Sequence, residues 1–166
     1  QPGWFKTYHV YAGGEERYGG DLIDNIATNF SISPRLLLAV MEYQTGALSE
    51  PEPPDPVITY PLGYVNVMNQ GLYNQLLWAA NTLNNAYYGW KLGKMQSFEL
   101  LDGRLEHPDP WQNAATVALQ YYYSRLLPRS AYNQATHAQG LYAPYTRLFG
   151  DPWANAQAHI PVSLVQ

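Results

Sequence analysis

Apolar residues recur at every third and fourth position in several stretches of the chain, a spacing that places them on one face of a helix. The first stretch begins at Asp21, whose carboxylate can cap the first turn. The second covers residues 33–45: its Ser-Pro start favours a helix N-terminus, and Gly46 can adopt the left-handed conformation that ends a helix. The third covers about residues 69–85. We therefore predict three helices in the first half of the chain.

The second half carries the same spacing with clearer boundaries. A long helix is predicted from Asp109 to just before Pro128, because proline cannot continue a helix, and the last clear helix ends at Gly150. Between the third and fourth helices, two short apolar segments flank Asp102-Gly103. This dipeptide suits the positive φ values of a tight turn, so the segments predict a small β-hairpin.

Three other segments lack a regular period. Residues 1–19 are rich in glycine and aromatic residues and predict an irregular arm, while the five prolines of residues 50–61 predict an extended surface loop. Residues 159–166 alternate apolar and polar side chains and predict a loose strand in a C-terminal tail. No alternation of strands and helices suggests a parallel sheet, so we predict a mainly α fold, with one helical domain over residues 20–158.

Charge and composition exclude several classes of function. The nine basic and thirteen acidic residues give a net charge of −4 without a basic cluster, so nucleic acid is not an expected partner. No apolar stretch reaches the roughly 18 residues of a membrane span, and the first residues do not form an export signal. The chain has no cysteine, and its four histidines lie far apart, so we expect neither a metal site nor a cofactor.

Uncharged polar residues dominate what remains. Asn and Gln number 11 each, so the amides equal all the charged residues, and the chain also has 15 tyrosines. Amides and phenols can hydrogen-bond sugar hydroxyls, and aromatic rings can stack on sugar faces. This composition favours a carbohydrate ligand. The alternative is a tyrosine-rich, weakly charged extracellular or thermophilic surface without a ligand.

Three segments, in order, resemble a known family. Residues 34–46 read PRLLLAVMEYQTG, residues 70–76 read QGLYNQL, and residues 110–126 contain Asn-Ala-Ala followed by Ala-Leu-Gln-Tyr-Tyr. They are similar to the motifs of the lysozyme-like superfamily, specifically of the soluble lytic transglycosylase and goose-type lysozyme domain. The resemblance spans about residues 20–150. It implies a lysozyme-like helical domain that engages peptidoglycan or a related polysaccharide outside the cell or in the cell envelope, with its export signal removed.

The resemblance also implies a position for the catalytic acid, and this chain departs from it there. In the family, a glutamate at the end of this helix protonates the glycosidic oxygen; here Gln44 stands at that position, and an amide has no proton to give. Glu42 is the nearest carboxylate and the candidate catalytic residue, but two residues along a helix correspond to about 200° of rotation. The alternatives are a Glu42 that is solvated or paired with Arg35 or Arg17, and a Gln44 that fixes the helix end through a loop carbonyl.

The family's glycan groove is implied to lie beside polar and aromatic residues of this chain. The candidate substrate-binding residues are Gln44, Tyr60, Tyr64, Tyr73, Gln75 and Trp90. The alternative for the aromatic residues is ordinary packing in the core or at its edge.

Three functions remain open from the sequence. The first is a peptidoglycan-binding or polysaccharide-binding domain that has lost its catalytic acid. The second is a structural surface protein that self-associates without any enzymatic activity. The third is an active lytic transglycosylase or muramidase that uses Glu42.

Overall fold

The computed structural model describes residues 2–12 and 14–157, and within them the chain is mainly α-helical. The helices of this part are α1 (Gly19–Phe30), α2 (Pro34–Thr45), α3 (Asp55–Thr59), α4 (Leu72–Lys91), α5 (Ala114–Ser124), α6 (Arg129–Thr136), α7 (Tyr142–Phe149) and α8 (Pro152–Gln157). The strands form two antiparallel hairpins, β1 (His9–Ala12) with β2 (Glu15–Tyr18), and β3 (Phe98–Glu99) with β4 (Leu105–Glu106). The predicted mainly α fold with a small hairpin is confirmed. The predicted strand at residues 159–166 lies outside the described residues.

The first two helices form where the apolar spacing predicts them. In α1, the buried positions Leu22, Ile23 and Ile26 lie on one face, which is why this short helix is stable against the core. In α2, Gly46 adopts a φ of 61°, and its N–H donates to the carbonyl of Glu42 at 2.9 Å. This left-handed cap ends the helix as predicted.

Helix α4 is longer than predicted, and α5 is shorter. The predicted end near residue 85 is wrong because Ala86 is fully buried, so continuing the helix buries another apolar residue. Helix α5 does not begin at Asp109, because Asn113 supplies a better start. The side-chain oxygen of Asn113 accepts from the N–H of Thr116 at 2.9 Å, which caps the first turn.

The N-terminal arm contains regular secondary structure, which corrects the prediction of an irregular segment at residues 1–19. Its first part is a 3₁₀ helix (Trp4–Thr7), and its second part is the β1–β2 hairpin. The Trp4 side chain is buried and packs edge-on against Phe5 and Tyr8. The backbone N–H of Trp4 also donates to the carbonyl of Glu50 at 2.8 Å. Aromatic burial and backbone pairing together hold the arm on the helical body.

The proline-rich loop contains a helix that the sequence analysis missed. Helix α3 occupies residues Asp55–Thr59, so residues 50–61 are not extended throughout. A proline lies in its first turn, where the missing N–H sacrifices no hydrogen bond within the helix. The same prolines that predicted an extended loop are therefore compatible with a helix start.

The β3–β4 hairpin forms at the predicted turn and is tied to helix α6. Gly103 adopts a φ of 80°, which suits the tight turn. At the start of α6, the guanidinium of Arg129 pairs with the Glu106 carboxylate, and it also donates to the carbonyl of Leu105 at 2.8 Å. The backbone N–H of Arg129 donates to the Asp102 carboxylate at 3.0 Å. These bonds fix the orientation of the hairpin against the helices.

The long helix α4 lies at the centre of the packing. It packs against α5 on one side and against α1 on another, and α2 packs against α7. The core is built from the apolar faces of these helices, with Leu76, Ala79 and Ala80 of α4 fully buried within it. Among the described residues, no helix is both long and apolar enough to cross a membrane.

Candidate functional site

The structure brings two of the predicted site residues, Gln44 and Gln75, to one loop at residues 60–64. The Nε2 of Gln44 donates to the carbonyl of Leu62 at 3.4 Å. Gln75 is fully buried; its Oε1 accepts from the N–H groups of Leu62 and Tyr64, and its Nε2 donates to the carbonyls of Tyr64 and Asn69. Gln75 therefore uses its amide within the protein. It organises the loop and is not available to a ligand.

The aromatic residues of the same region are also committed to internal packing. Tyr64 stacks on Trp78 with ring centroids 4.0 Å apart and ring planes 3° from parallel. The hydroxyl of the buried Tyr122 donates to the carbonyl of Leu62 at 3.0 Å. Burial raises the pKa of Tyr122, so this phenol keeps its proton and remains a donor. Tyr122, Gln44 and Gln75 together fix the loop at residues 60–64 through hydrogen bonds to its backbone.

Glu42 lies in an ion pair that crosses two helices. One carboxylate oxygen accepts from the guanidinium of Arg147 in α7 at 2.5 Å, and the other accepts from the N–H of Leu48 at 2.8 Å. The Glu42 side chain is only 2% exposed, whereas that of Arg147 is 63% exposed. The sequence suggests Arg35 or Arg17 as a salt-bridge partner for Glu42, and the partner is instead Arg147.

This geometry indicates a structural role for Glu42. Its two oxygens are occupied by donors, and its side chain lines neither of the two grooves described below. A general acid must reach the atom that it protonates, within about 3 Å or through one water. The ion pair instead joins the C-terminal end of α2 to α7.

A wide surface groove lies where the C-terminal end of α4 meets the loop before α5. We call it the tryptophan groove; its volume is about 910 Å³, and its lining residues are Trp90, Gly93, Met95, Gln96, His107, Pro108, Asp109, Pro110 and Trp111. Trp111 is 93% exposed, which is unusual for the largest aromatic side chain. The predicted site residue Trp90 lines the same groove, half-buried. The groove therefore presents two indoles together with an amide, an imidazole and a carboxylate.

The loop that carries Trp111 is held by three hydrogen bonds. The Asp109 carboxylate accepts from the N–H of Trp111 at 2.9 Å, and the Asp109 carbonyl accepts from the N–H of Gln112 at 2.9 Å. The indole N–H of Trp90 donates to the carbonyl of Gln112, also at 2.9 Å. The exposed indole thus projects from a fixed turn. Trp111 is not among the site residues predicted from the sequence, although an Asp-Pro-Trp sequence just before a helix is typical of such a turn.

A second groove, of about 620 Å³, lies between the N-terminal hairpin, α1 and the start of α4. We call it the amide groove; its lining residues include the polar side chains Tyr8, Arg17, Asn25, Asn29, Gln70, Tyr73 and Asn74. The predicted site residue Tyr73 is 46% exposed here. Tyr60 lies next to this groove, because its hydroxyl accepts from the Nε2 of Gln70 at 3.1 Å. The predicted site residues are therefore divided among four places, which are the Glu42 ion pair, the loop at residues 60–64, the tryptophan groove and the amide groove, and they do not form one cleft.

Metal ligands are also relevant to what these grooves can do. Across residues 2–12 and 14–157, no group of three or more His, Cys, Asp or Glu side chains is arranged to hold a metal ion. The side chains that line the two grooves offer stacking and hydrogen bonding by aromatic, amide and carboxylate groups.

Comparison with known proteins identifies the family. A family model described as LasA, N-terminal domain, matches residues 1–162, nearly the whole chain, so the protein belongs to this family. Comparison with curated proteins and with solved structures returned no match.

Proposed function

We propose that this member of the LasA N-terminal domain family is an extracellular or cell-envelope domain that binds the glycan of peptidoglycan, or a related uncharged polysaccharide, without cleaving it. The binding surface is the tryptophan groove. The observation that carries the proposal is Trp111, a 93% exposed indole on a turn whose backbone is held by hydrogen bonds.

An exposed indole on an ordered turn suits the apolar face of a sugar ring. Leaving so large an apolar surface in water is unfavourable, and a stacked ring would remove that surface from water. Because the turn is already ordered, little backbone conformational entropy is lost when a ligand binds. The Gln96 amide, the His107 imidazole and the second carboxylate oxygen of Asp109 lie around the indoles and can hydrogen-bond sugar hydroxyls.

The absence of cleavage in this proposal rests on two residues of α2. Gln44 carries an amide at the position where the resembled family has its proton donor, and its amide bonds to a loop carbonyl. Glu42 is buried in its ion pair with Arg147. The likeness to lytic transglycosylases and lysozymes is thus extended here to glycan binding alone.

The direct test is co-sedimentation of the purified domain with insoluble peptidoglycan. Trp111→Ala should lower the affinity by about tenfold, because a centrally placed aromatic contact contributes roughly 1–2 kcal/mol. Trp153→Ala is the matched control, since Trp153 is 67% exposed and also follows an aspartate whose carboxylate accepts its N–H. The control should bind like the wild type. Equal binding by wild type and Trp111→Ala would contradict the proposal.

The same purified domain also distinguishes the proposed binding function from the two alternatives, an active enzyme and a self-assembling surface protein. The active-enzyme alternative requires the wild type to release soluble muropeptides and Glu42→Gln to abolish that release; we expect no release from either protein. The self-assembling alternative requires defined oligomers by analytical ultracentrifugation and no sedimentation with peptidoglycan. We expect sedimentation with peptidoglycan at concentrations where the free domain is monomeric.

A further inference from the structure

Another groove, of about 540 Å³, adjoins the tryptophan groove just after the C-terminal end of α4. Gly93, Met95 and Gln96 line both grooves, so the segment that they form is a shared wall. The backbone of this wall is held in place, because the N–H groups of Lys94 and Met95 donate to the carbonyl of Gly89 at 2.8 and 3.1 Å. A ligand that lies in the tryptophan groove can therefore extend across the wall into this groove.

Two basic side chains line the adjoining groove, which we call the basic groove. Beyond the shared wall, its lining residues are Lys94, Ser97, Phe98, Glu99, Tyr121 and Arg125. Lys94 lies three residues after the end of α4, and Arg125 directly follows α5, so two helix ends place both cations in one groove. Both side chains are exposed. The ion pairs within residues 2–12 and 14–157 involve other basic side chains, so neither cation has a carboxylate partner in this part of the chain.

Glu99 also lines the basic groove, but it does not pair with either cation. Its carboxylate lies beside the β3–β4 turn, with one oxygen 3.4 Å from the position that a Cβ on Gly103 would take. In the tryptophan groove, the Asp109 carboxylate accepts from the N–H of Trp111 at 2.9 Å and is held at its own turn. Two cations against the Glu99 carboxylate leave the basic groove locally positive, although the net charge of the chain is −4. Such a groove attracts an anionic group.

Peptidoglycan carries a suitable anion beside its sugar rings. Every second sugar of its glycan is muramic acid, whose lactyl ether ends in a carboxyl group that is either free or joined to a peptide with carboxylates of its own. Uncharged polysaccharides with the same backbone, such as chitin, lack this group. Lysine and arginine side chains bind carboxylates through charge-assisted hydrogen bonds. The two adjoining grooves thus offer an aromatic surface for the sugar and a positive surface for its carboxylate.

We propose that the basic groove binds the carboxylate of a muramyl side chain while the sugar backbone lies in the tryptophan groove. Lys94 and Arg125 supply the positive charge and the N–H donors. This inference rests on the proposed function and narrows its ligand to peptidoglycan over uncharged polysaccharides. The alternative for both residues is a purely structural role, because a cation near a helix C-terminus stabilises the helix.

The test compares three soluble tetrasaccharides with the same β-1,4 backbone, titrated into the whole chain by calorimetry. Chitotetraose has no carboxylate. A tetrasaccharide of alternating N-acetylglucosamine and N-acetylmuramic acid has free lactyl carboxylates, and in a third probe these are joined to L-alanyl-D-glutamate, which moves the carboxylates to the peptide. At least one muramyl probe should bind about three- to tenfold more tightly than chitotetraose. The tighter muramyl probe identifies which group supplies the carboxylate.

Two variants remove the cations and keep much of their aliphatic stems. Lys94→Met and Arg125→Met should each weaken binding of the preferred muramyl probe by about two- to fivefold, the range of an exposed ion pair. Each should change chitotetraose binding by less than about twofold. Lys91→Met is the matched control, because Lys91 is exposed, lies three residues before Lys94 and lines neither groove. It removes the same charge and should leave the preference for the muramyl probe unchanged.

The possible results separate this inference from the proposed function. Equal wild-type affinity for all three probes would overturn the inference alone. A preference for a muramyl probe that persists in the Lys94→Met/Arg125→Met double variant would also overturn it, and a lowered stability of that variant to urea would then assign the cations to the helix ends. A wild type that binds none of the probes would overturn the proposed function, and the inference with it.

Discussion

The ion pair between Glu42 and Arg147 gives a sharp prediction about stability. Arg147→Met keeps much of the aliphatic stem and removes the guanidinium, so the Glu42 carboxylate is left with the Leu48 N–H as its partner. Glu42 is 2% exposed at its side chain, so water does not readily replace the lost donor. The free energy of unfolding should therefore fall.

The magnitude follows from the unequal burial of the two partners. Removing one member of a fully buried pair costs about 3–5 kcal/mol, because a buried charge is left unpaired. Here the Arg147 side chain is 63% exposed, so solvent already screens the interaction from one side. We expect a loss of about 1.5–3 kcal/mol for Arg147→Met, between the surface and buried limits.

A double-mutant cycle separates the pair from other effects. Glu42→Gln keeps an oxygen that can accept from Leu48 and removes the buried charge, so it should cost about 1–2 kcal/mol. Once that charge is gone, Arg147→Met should cost little more. The double variant should therefore be more stable than the sum of the singles predicts, by about 1–2 kcal/mol.

The assay is urea unfolding followed by circular dichroism, with the free energy extrapolated to zero denaturant. Arg35→Met is the matched control, because Arg35 of α2 also faces α7, with its guanidinium 5.8 Å from the Phe149 ring centroid. Arg35→Met and Glu42→Gln should be additive within about 0.5 kcal/mol. Strict additivity between Glu42→Gln and Arg147→Met would refute the account of a coupled pair.

Three further predictions concern the tyrosines, the arm and the loop. Burial raises the pKa values of the Tyr122 and Tyr123 phenols above 10. Near pH 10, therefore, these phenols lose their protons in the unfolded chain and keep them in the folded one. The free energy of unfolding that the two phenols contribute is fully present below about pH 10. Above that pH it falls by about 1.4 kcal/mol per pH unit for each phenol. Urea unfolding between about pH 9 and pH 11 measures this fall. Gly3→Ala should lower the melting temperature, because its Cβ would lie 2.2 Å from the carbonyl oxygen of Ala47, and overpacking costs about 1–3 kcal/mol. Gln75→Leu should cost about 2–4 kcal/mol and speed amide exchange in residues 62–64, since it removes three hydrogen bonds to the backbone of Leu62 and Tyr64 and a fourth to the carbonyl of Asn69.

The helices were predictable where local sequence determines them. The left-handed cap at Gly46 and the buried face of α1 follow from spacing and from one glycine, and both appear as predicted. The end of α4 was not predictable, because it depends on Ala86 finding a buried place among other helices. Likewise, the N-terminal arm is ordered by Trp4, whose burial needs partners that become adjacent only in the folded chain.

The candidate site shows the same division between local and distant information. Gln44 and Gln75 could be singled out from their segments, but their roles depend on the loop carbonyls and N–H groups that they contact. The partner of Glu42 lies 105 residues away in sequence, beyond the reach of any spacing rule. Trp111 was not predicted as a site residue because the predicted helix, which begins at Asp109, includes it. Asn113 caps the helix, and a helix that starts after Asn113 leaves Trp111 on the preceding turn.

The central claim is that the tryptophan groove holds a glycan, and NMR of the tryptophan side chains tests it most directly. The chain has five tryptophans, so five indole N–H signals are expected, and single substitutions assign them. Titration with soluble glycan fragments of peptidoglycan should shift the signals of Trp111 and Trp90 and leave that of Trp153 in place. Unchanged Trp111 and Trp90 signals at saturating glycan, or shifts confined to other tryptophans, would contradict the account.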